Sequence, residues 1–222
     1  MPGRTPRRRY KEGCIAAHAL EVLGDRWVLL VIRELLLGPK RFSLIRSGLP
    51  GISANVLAQR LGELEAEGLI ARKLLPPPSD ISVYELTDLG QQVRPVIRSL
   101  CRFGVRLPGH DPTRHISPTA LMLSMEEMFA RNTADSFEVC FEFGSEKFTA
   151  TAGPSGFFPS RIGPPESALM FRGTTNAVAA AIYGPRPLAT AVSDGSVGFR
   201  GDLTKGQKFV DLFSLLPNST QR

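Results

Sequence analysis

Between Leu49 and Leu69 the chain reads LPGISANVLAQRLGELEAEGL, and this segment constrains the fold most tightly. Pro50 and Gly51 make a turn that delivers Ser53, whose hydroxyl can accept from a free N–H in the first turn of a helix. In that helix Leu57, Leu61 and Leu64 share one stripe, while Asn55, Gln59 and Gly62 point the opposite way. The outward face thus carries amides and small groups instead of the usual Glu/Lys mixture. Amides near the start of a helix suit hydrogen bonding to base edges in a DNA major groove, adenine above all. Taken alone, the window fits an ordinary amphipathic surface helix equally well.

The flanking sequence decides between the two. Arg26 to Leu37 is apolar nearly all round, as in a central helix packed on several sides, with Asp25 as its expected cap and Gly38-Pro39 as its end. Lys40-Arg41 leads into a short segment, Phe42 to Arg46, with Phe42 and Ile45 three apart. Two helices joined by a Gly-containing turn, the second with an exposed polar start, make a helix-turn-helix. Ile70 to Leu75 and Ile81 to Leu86 read as strands around the loop 76–80. Thr87 caps an expected single helix from about Asp88 to Val105. Helix-turn-helix, hairpin and closing helix together predict a winged helix.

Residues Cys14 to about Arg106 resemble the HxlR-type transcriptional regulators, a branch of the MarR-like winged-helix proteins. The matching residues are Cys14, Gly24-Asp25-Arg26-Trp27, Arg33-Glu34-Leu35, GPKRFS at 38–43, LPGIS at 49–53, Gln59-Arg60-Leu61, Glu67-Gly68-Leu69 and YELT at 84–87. The resemblance implies a DNA-binding homodimer with the Ser53 helix as recognition helix and the proline loop as wing. Base readout is expected from Asn55 and Gln59, and phosphate contact from Arg41, Arg46 and Arg60, with Ser53 at the helix start. Arg60 borders the buried stripe, so pairing with a glutamate is its other reading. The chain departs from the family at Asn55 and Gly62, where basic residues are usual, and at the wing tip Ser79-Asp80, where an arginine is usual. Fewer cations at this face mean weaker phosphate attraction.

Charge supports the division. Residues 1–106 hold 17 Lys/Arg against 10 Asp/Glu, a net +7, whereas residues 107–222 hold 10 against 11. The cationic surplus therefore lies in the winged-helix half, as suits a domain drawn to a polyanion. Arg4, Arg7, Arg8, Arg9 and Lys11 form a basic arm over residues 1–13, either solvated and disordered or tracking phosphates on DNA. No stretch is apolar and long enough for a signal peptide or membrane span, and three dispersed cysteines make no disulfide framework. A cytoplasmic protein is expected.

After the winged helix-turn-helix domain, residues 14–106, Pro and Gly mark a linker at 107–116. Ser117-Pro118 starts a helix carrying Leu121, Met125 and Met128. Phe137, Val139, Phe141 and Phe143 alternate with Glu138, Cys140 and Glu142, predicting a half-buried strand. A second strand over 146–152 follows, then a Gly/Pro-rich loop and a strand near 168–172. Helices near 174–183 and 187–192, a strand at 196–200 and a closing helix at 204–216 complete an α+β domain over residues 117–217, before a tail at 218–222.

Phe171-Arg172-Gly173-Thr174, Tyr183-Gly184 and DGSVGFRGDL at 194–203 resemble the sterol-carrier-protein-type lipid-binding fold. The resemblance implies an apolar pocket for a hydrophobic small molecule, lined by Phe137, Phe141, Phe148, Phe171, Val178, Ile182, Phe199, Phe209 and Phe213. Each of these also fits plain core packing.

The chemistry-bearing residues are sparse. His18, His110 and His115 make no metal set, and no nucleophile–base pair stands out, so neither enzymatic activity nor a cofactor is expected. Cys14, near a helix start and Lys11, is the one reactive candidate. The resemblance permits redox sensing there, and a buried structural thiol is the other reading. The expected function is a homodimeric transcriptional regulator acting on double-stranded DNA, controlled by a hydrophobic small molecule. The alternative is a lipid carrier that uses its winged helix only to dimerise; such a protein would show ligand affinity without a salt-dependent DNA shift.

Overall fold

The structure is a computed structural model that describes residues 10–75, 81–130, 133–161 and 169–215. The chain folds as two compact units, Met1–Arg94 and Pro95–Arg222. Most of the expected basic arm, the wing tip at 76–80 and the tail lie outside the described residues. Among the described residues no helix is long and apolar enough to cross a membrane.

In the first unit, helices α1 (Ile15–Leu23), α2 (Val28–Leu35), α3 (Phe42–Ser47) and α4 (Ala54–Ala66) precede strands β1 (Ile70–Leu74) and β2 (Ser82–Leu86). The strands pair antiparallel from Ile70 opposite Leu86 to Leu74 opposite Ser82, which is the expected hairpin. α2 is the central helix: Val28, Val31, Ile32 and Leu35 are fully buried. Its start differs from expectation. Asp25 does not cap it with its side chain. Trp27 takes the cap position in a left-handed conformation (φ 85°), and the Asp25 carboxylate turns to Arg60 instead.

Glu34 has no accessible surface, and the ammonium of Lys40, a residue only 1% exposed, donates to it at 2.9 Å. Arg33 adds two hydrogen bonds to the other Glu34 oxygen, at 3.2 and 2.9 Å. Lys40 also pairs through its backbone with Tyr84 of β2, its N–H donating at 3.0 Å and its carbonyl accepting at 2.8 Å. One buried ion pair therefore ties the core helix to the segment that holds the wing. In sequence Lys40 passes for a surface cation, because a pair six residues apart across a turn leaves no periodic trace.

The expected single helix from Asp88 to Val105 is two: α5 (Asp88–Gln91) and α6 (Arg94–Gly104). Pro95 has no N–H with which to continue the α5 ladder. Thr87 caps α5 and its hydroxyl donates to the Gly68 carbonyl at 2.6 Å. This seats α5 so closely on the start of the wing that a Cβ on Gly90 would lie 2.0 Å from the Leu69 carbonyl oxygen.

The second unit begins with α7 (Pro118–Met128), capped by Ser117 as expected. β3 (Phe137–Phe143), β4 (Glu146–Gly153), β5 (Gly156–Ser160), β6 (Leu169–Arg172) and β7 (Gly198–Arg200) form one sheet in the order β5-β4-β3-β6-β7. All neighbours run antiparallel except β3 and β6, which are parallel. β5 falls where the sequence predicted only a loop. Helices α8 (Thr175–Tyr183), α9 (Leu188–Ser193) and α10 (Leu203–Val210) complete the unit, α10 ending earlier than expected. α7 packs on β5 and α8, and α10 on α8 and α9.

β3 is not half-buried. It is the middle strand, and even Cys140 and Glu142 on its polar side are covered. Lys147 and Arg172 on the flanking strands bond the Glu142 carboxylate at 2.8 and 2.6 Å and hold its pKa below the usual carboxylate range. Burial pushes the neighbouring Cys140 thiol up.

Denaturant unfolding tests the buried ion pair. Lys40→Met costs about 3 kcal/mol, the low end for stripping a buried charge of its partner, since Arg33 still faces Glu34. Adding Glu34→Leu to Lys40→Met recovers part of that loss; an equal or larger loss in the double variant contradicts the ion-pair explanation.

Candidate nucleic-acid interface

α4 starts as the sequence predicted. The Ser53 hydroxyl accepts from the Val56 N–H at 3.2 Å, and Leu57, Leu61 and Leu64 are buried. Asn55, Ala58, Gln59 and Gly62 are all exposed, so the first three turns present a face of two amides and two small residues. Gln59 donates to Glu63 one turn on, at 2.9 Å, which leaves its carbonyl oxygen open as an acceptor.

Arg41 is the N-cap residue of α3 and Arg46 lies in its last turn. Both are exposed, and among the described residues neither is paired with a carboxylate. Arg60 is placed differently. Its side chain is only 18% exposed, and its guanidinium lies between Glu63 at 2.5 Å and Asp25 at 2.8 Å. That clamp joins α4 to the loop before α2, and the Arg60 charge is largely neutralised by its two acidic neighbours. The same loop carries Trp27, with the Arg26 guanidinium over its ring at 5.2 Å.

The wing contributes cations that sequence reasoning missed. Arg72 on β1 is exposed, lies 6.0 Å from the Tyr84 ring centroid and donates to the Ser82 hydroxyl at 2.6 Å. Lys73 beside it pairs with Glu85 at 2.5 Å. Alternation along β1 was the available signal, since it places Arg72 across from Tyr84.

Cys14 is exposed at the N-cap of α1, which corrects the buried-thiol expectation. His18, one turn on, pairs with Glu21 at 3.7 Å. Ile15 and Leu20 on α1 and Val96, Leu100, Phe103 and Leu107 on or just after α6 are apolar and exposed.

In the second unit, six of the nine residues expected to line a pocket, Phe137, Phe141, Phe171, Phe199, Phe209 and Phe213, pack ring on ring as one cluster. Phe148, Phe141, Phe171 and Phe199 run in register across four strands. Phe209 of α10 packs on them, with ring centroids 5.7 Å from Phe137, 6.3 Å from Phe141, 5.9 Å from Phe171 and 5.0 Å from Phe213. Val178 and Ile182 of α8 are buried. A Cβ on Gly206 would meet Phe199 at 2.5 Å and Leu188 at 2.8 Å, so this part of the core is full. A separate cleft of about 350 Å³ is polar, lined by Asp135, Ser136, Phe137, Asp202, Thr204, Lys205 and Lys208.

Comparison with known proteins agrees with the first unit. The family profile described as HxlR-like helix-turn-helix matches residues 22–111. The chain is 39% identical over 85 residues to the uncharacterized HTH-type transcriptional regulator YvaP of Bacillus subtilis (strain 168), covering 38% of this chain and 79% of that protein. It is likewise 39% identical over 82 residues to the HTH-type transcriptional regulator YodB of the same organism, covering 37% and 73%. The reduced form of YodB from B. subtilis is a solved structure with 33% identity and a TM-score of 0.40, covering 45% of this chain and 100% of that one. With the helix-turn-helix, the hairpin and most of YvaP matched, the chain belongs to the HxlR-like helix-turn-helix family of transcriptional regulators.

Proposed function

We propose that the protein regulates transcription as a homodimer that inserts α4 into the major groove of DNA. The observation that carries this reading is the exposed amide face of α4, with Asn55 and Gln59 one turn apart behind a Ser53-capped start. Each amide can offer a donor and an acceptor to an adenine edge. Arg41 and Arg46, exposed and free of carboxylates among the described residues, supply phosphate contacts. Arg60, held by Asp25 and Glu63, acts by fixing α4 to the loop before α2, and contributes to phosphate attraction only as a weakened charge. Two copies would set their α4 helices in successive grooves, roughly 34 Å apart.

Exposed apolar residues support the dimer. Val96, Leu100 and Phe103 recur at intervals of four and three on one face of α6, Leu107 follows just beyond it, and Ile15 and Leu20 add a second apolar surface. The second unit serves, in this reading, as a sterol-carrier-like ligand domain. Its support is the sheet order, with parallel β3 and β6 at the centre and the aromatic cluster on one side. A hydrophobic ligand would have to part the Phe209 contacts to enter, which makes binding and rearrangement one event. Cys14, exposed at a helix start, is the proposed redox-sensing thiol.

Duplex binding, sedimentation and thiol labelling test these roles. On a duplex from the protein's own promoter region, Gln59→Ala changes the order of preference among operator variants. Arg41→Ala weakens all duplexes alike and lowers the salt slope by about 0.9, the value for one phosphate no longer neutralised; identical behaviour of the two variants contradicts these roles. Leu100→Glu with Phe103→Glu yields a monomer in sedimentation and reduces duplex affinity at least about tenfold, because only one α4 helix then reaches a groove. A maleimide probe labels Cys14 first in the native chain and Cys140, which has no exposed surface, last.

A further inference from the structure

Helix α6 faces two ways. Its apolar side is the one assigned above to the partner copy, and its other side carries Arg98 and Arg102, one turn apart. Both converge on Glu127 of α7: Arg98 Nε donates to one carboxylate oxygen at 2.8 Å and Arg102 Nη1 to the other at 2.6 Å. The Glu127 side chain is only 5% exposed, and Glu126 lies 3.7 Å from Arg98. Arg102 Nη2 also donates to the Ser99 hydroxyl of its own helix at 3.1 Å, which fixes the guanidinium. The hydrogen bond to Glu127 raises the Arg98 pKa above its ordinary value. A nearly buried carboxylate with each oxygen committed to its own guanidinium is a directional fastening, unlike a solvated surface pair.

The fastening is continuous with the rest of the second unit. Tyr183, at the end of α8, shares a hydrogen bond of 2.9 Å with Ser124 of α7. Its phenol pKa is pushed up by burial, with a further contribution from Cys101 of α6. α6 begins at Arg94, the last residue of the first unit, which donates to the Leu36 carbonyl at 3.4 Å. α6 is thus held through its later turns by α7, within the second unit.

Resting on the regulator reading above, we propose that the Arg98–Glu127–Arg102 cluster is the joint by which α7 holds α6, the helix with the apolar face assigned to the partner copy, and so sets the DNA affinity of the dimer. A change at one site alters affinity at another when both bias the same element.

The test uses the full chain with Glu127→Gln, which keeps the shape and removes the charge. Duplex affinity is read together with hydrogen exchange of α6 and of β3 and β4, the latter as the control for folding. The joint predicts exchange in α6 faster by about tenfold, with β3 and β4 unchanged. It predicts duplex binding weaker by at least about fivefold, because a loosened α6 must be ordered on docking. Arg98→Gln with Arg102→Gln gives the same losses, and combining all three substitutions adds nothing further, as for one coupled unit. If Glu127→Gln also disturbs β3 and β4, the arginine variant decides alone. Faster α6 exchange with affinity within about twofold of the parent overturns the joint, and so does unchanged exchange. A parent chain that retains no duplex at low salt overturns the regulator reading instead, which separates the two failures.

Discussion

The N-terminal unit depends on one buried ion pair. Glu34 sits on the most enclosed helix of that unit, and an isolated carboxylate there would be very costly to desolvate. Lys40 meets it from beyond the Gly38-Pro39 turn, at 2.9 Å, and the Lys40 backbone then bridges to Tyr84 of the wing. The position of the wing relative to α2 follows from satisfying this charge. α3 and α4 come directly after Lys40 in the chain, so the helix-turn-helix starts from the same fixed point. The Asp25–Arg60–Glu63 clamp then holds α4 from a second direction, leaving the amide face outward.

The second unit is organised by apolar packing instead of charge. A row of phenylalanines crosses four strands, and Phe209 closes over it. Aromatic contacts of this kind add about 0.5–1.5 kcal/mol per pair beyond burial. Several pairs sharing Phe209 therefore give a stiff centre.

α6 begins where the first unit ends. Pro95 breaks the helix that the sequence pattern continues from Asp88, and the break frees the later turns to follow α7. Arg98 and Arg102 then commit to Glu127, while Val96, Leu100 and Phe103 stay exposed. Polar fastening on one side and an open apolar stripe on the other suit a helix with two partners.

Local sequence determined the elements whose cause is local. The Ser53, Thr87 and Ser117 caps, the 57–61–64 stripe of α4 and the hairpin around 76–80 each follow from a few adjacent residues. So did the family, through motifs dispersed in order over residues 14–106. Tertiary structure decided what depends on distant partners. It buried Lys40 against Glu34, drew Asp25 from its expected cap to Arg60, and left Cys14 exposed. It made β3 a middle strand whose Cys140 and Glu142 are buried, with the Glu142 carboxylate held by Lys147 and Arg172. It also filled with packed rings the place where sequence could offer either a pocket or a core. Periodicity reports which face of an element is apolar, but the depth of burial and the identity of a charge's partner are set only when separate segments meet.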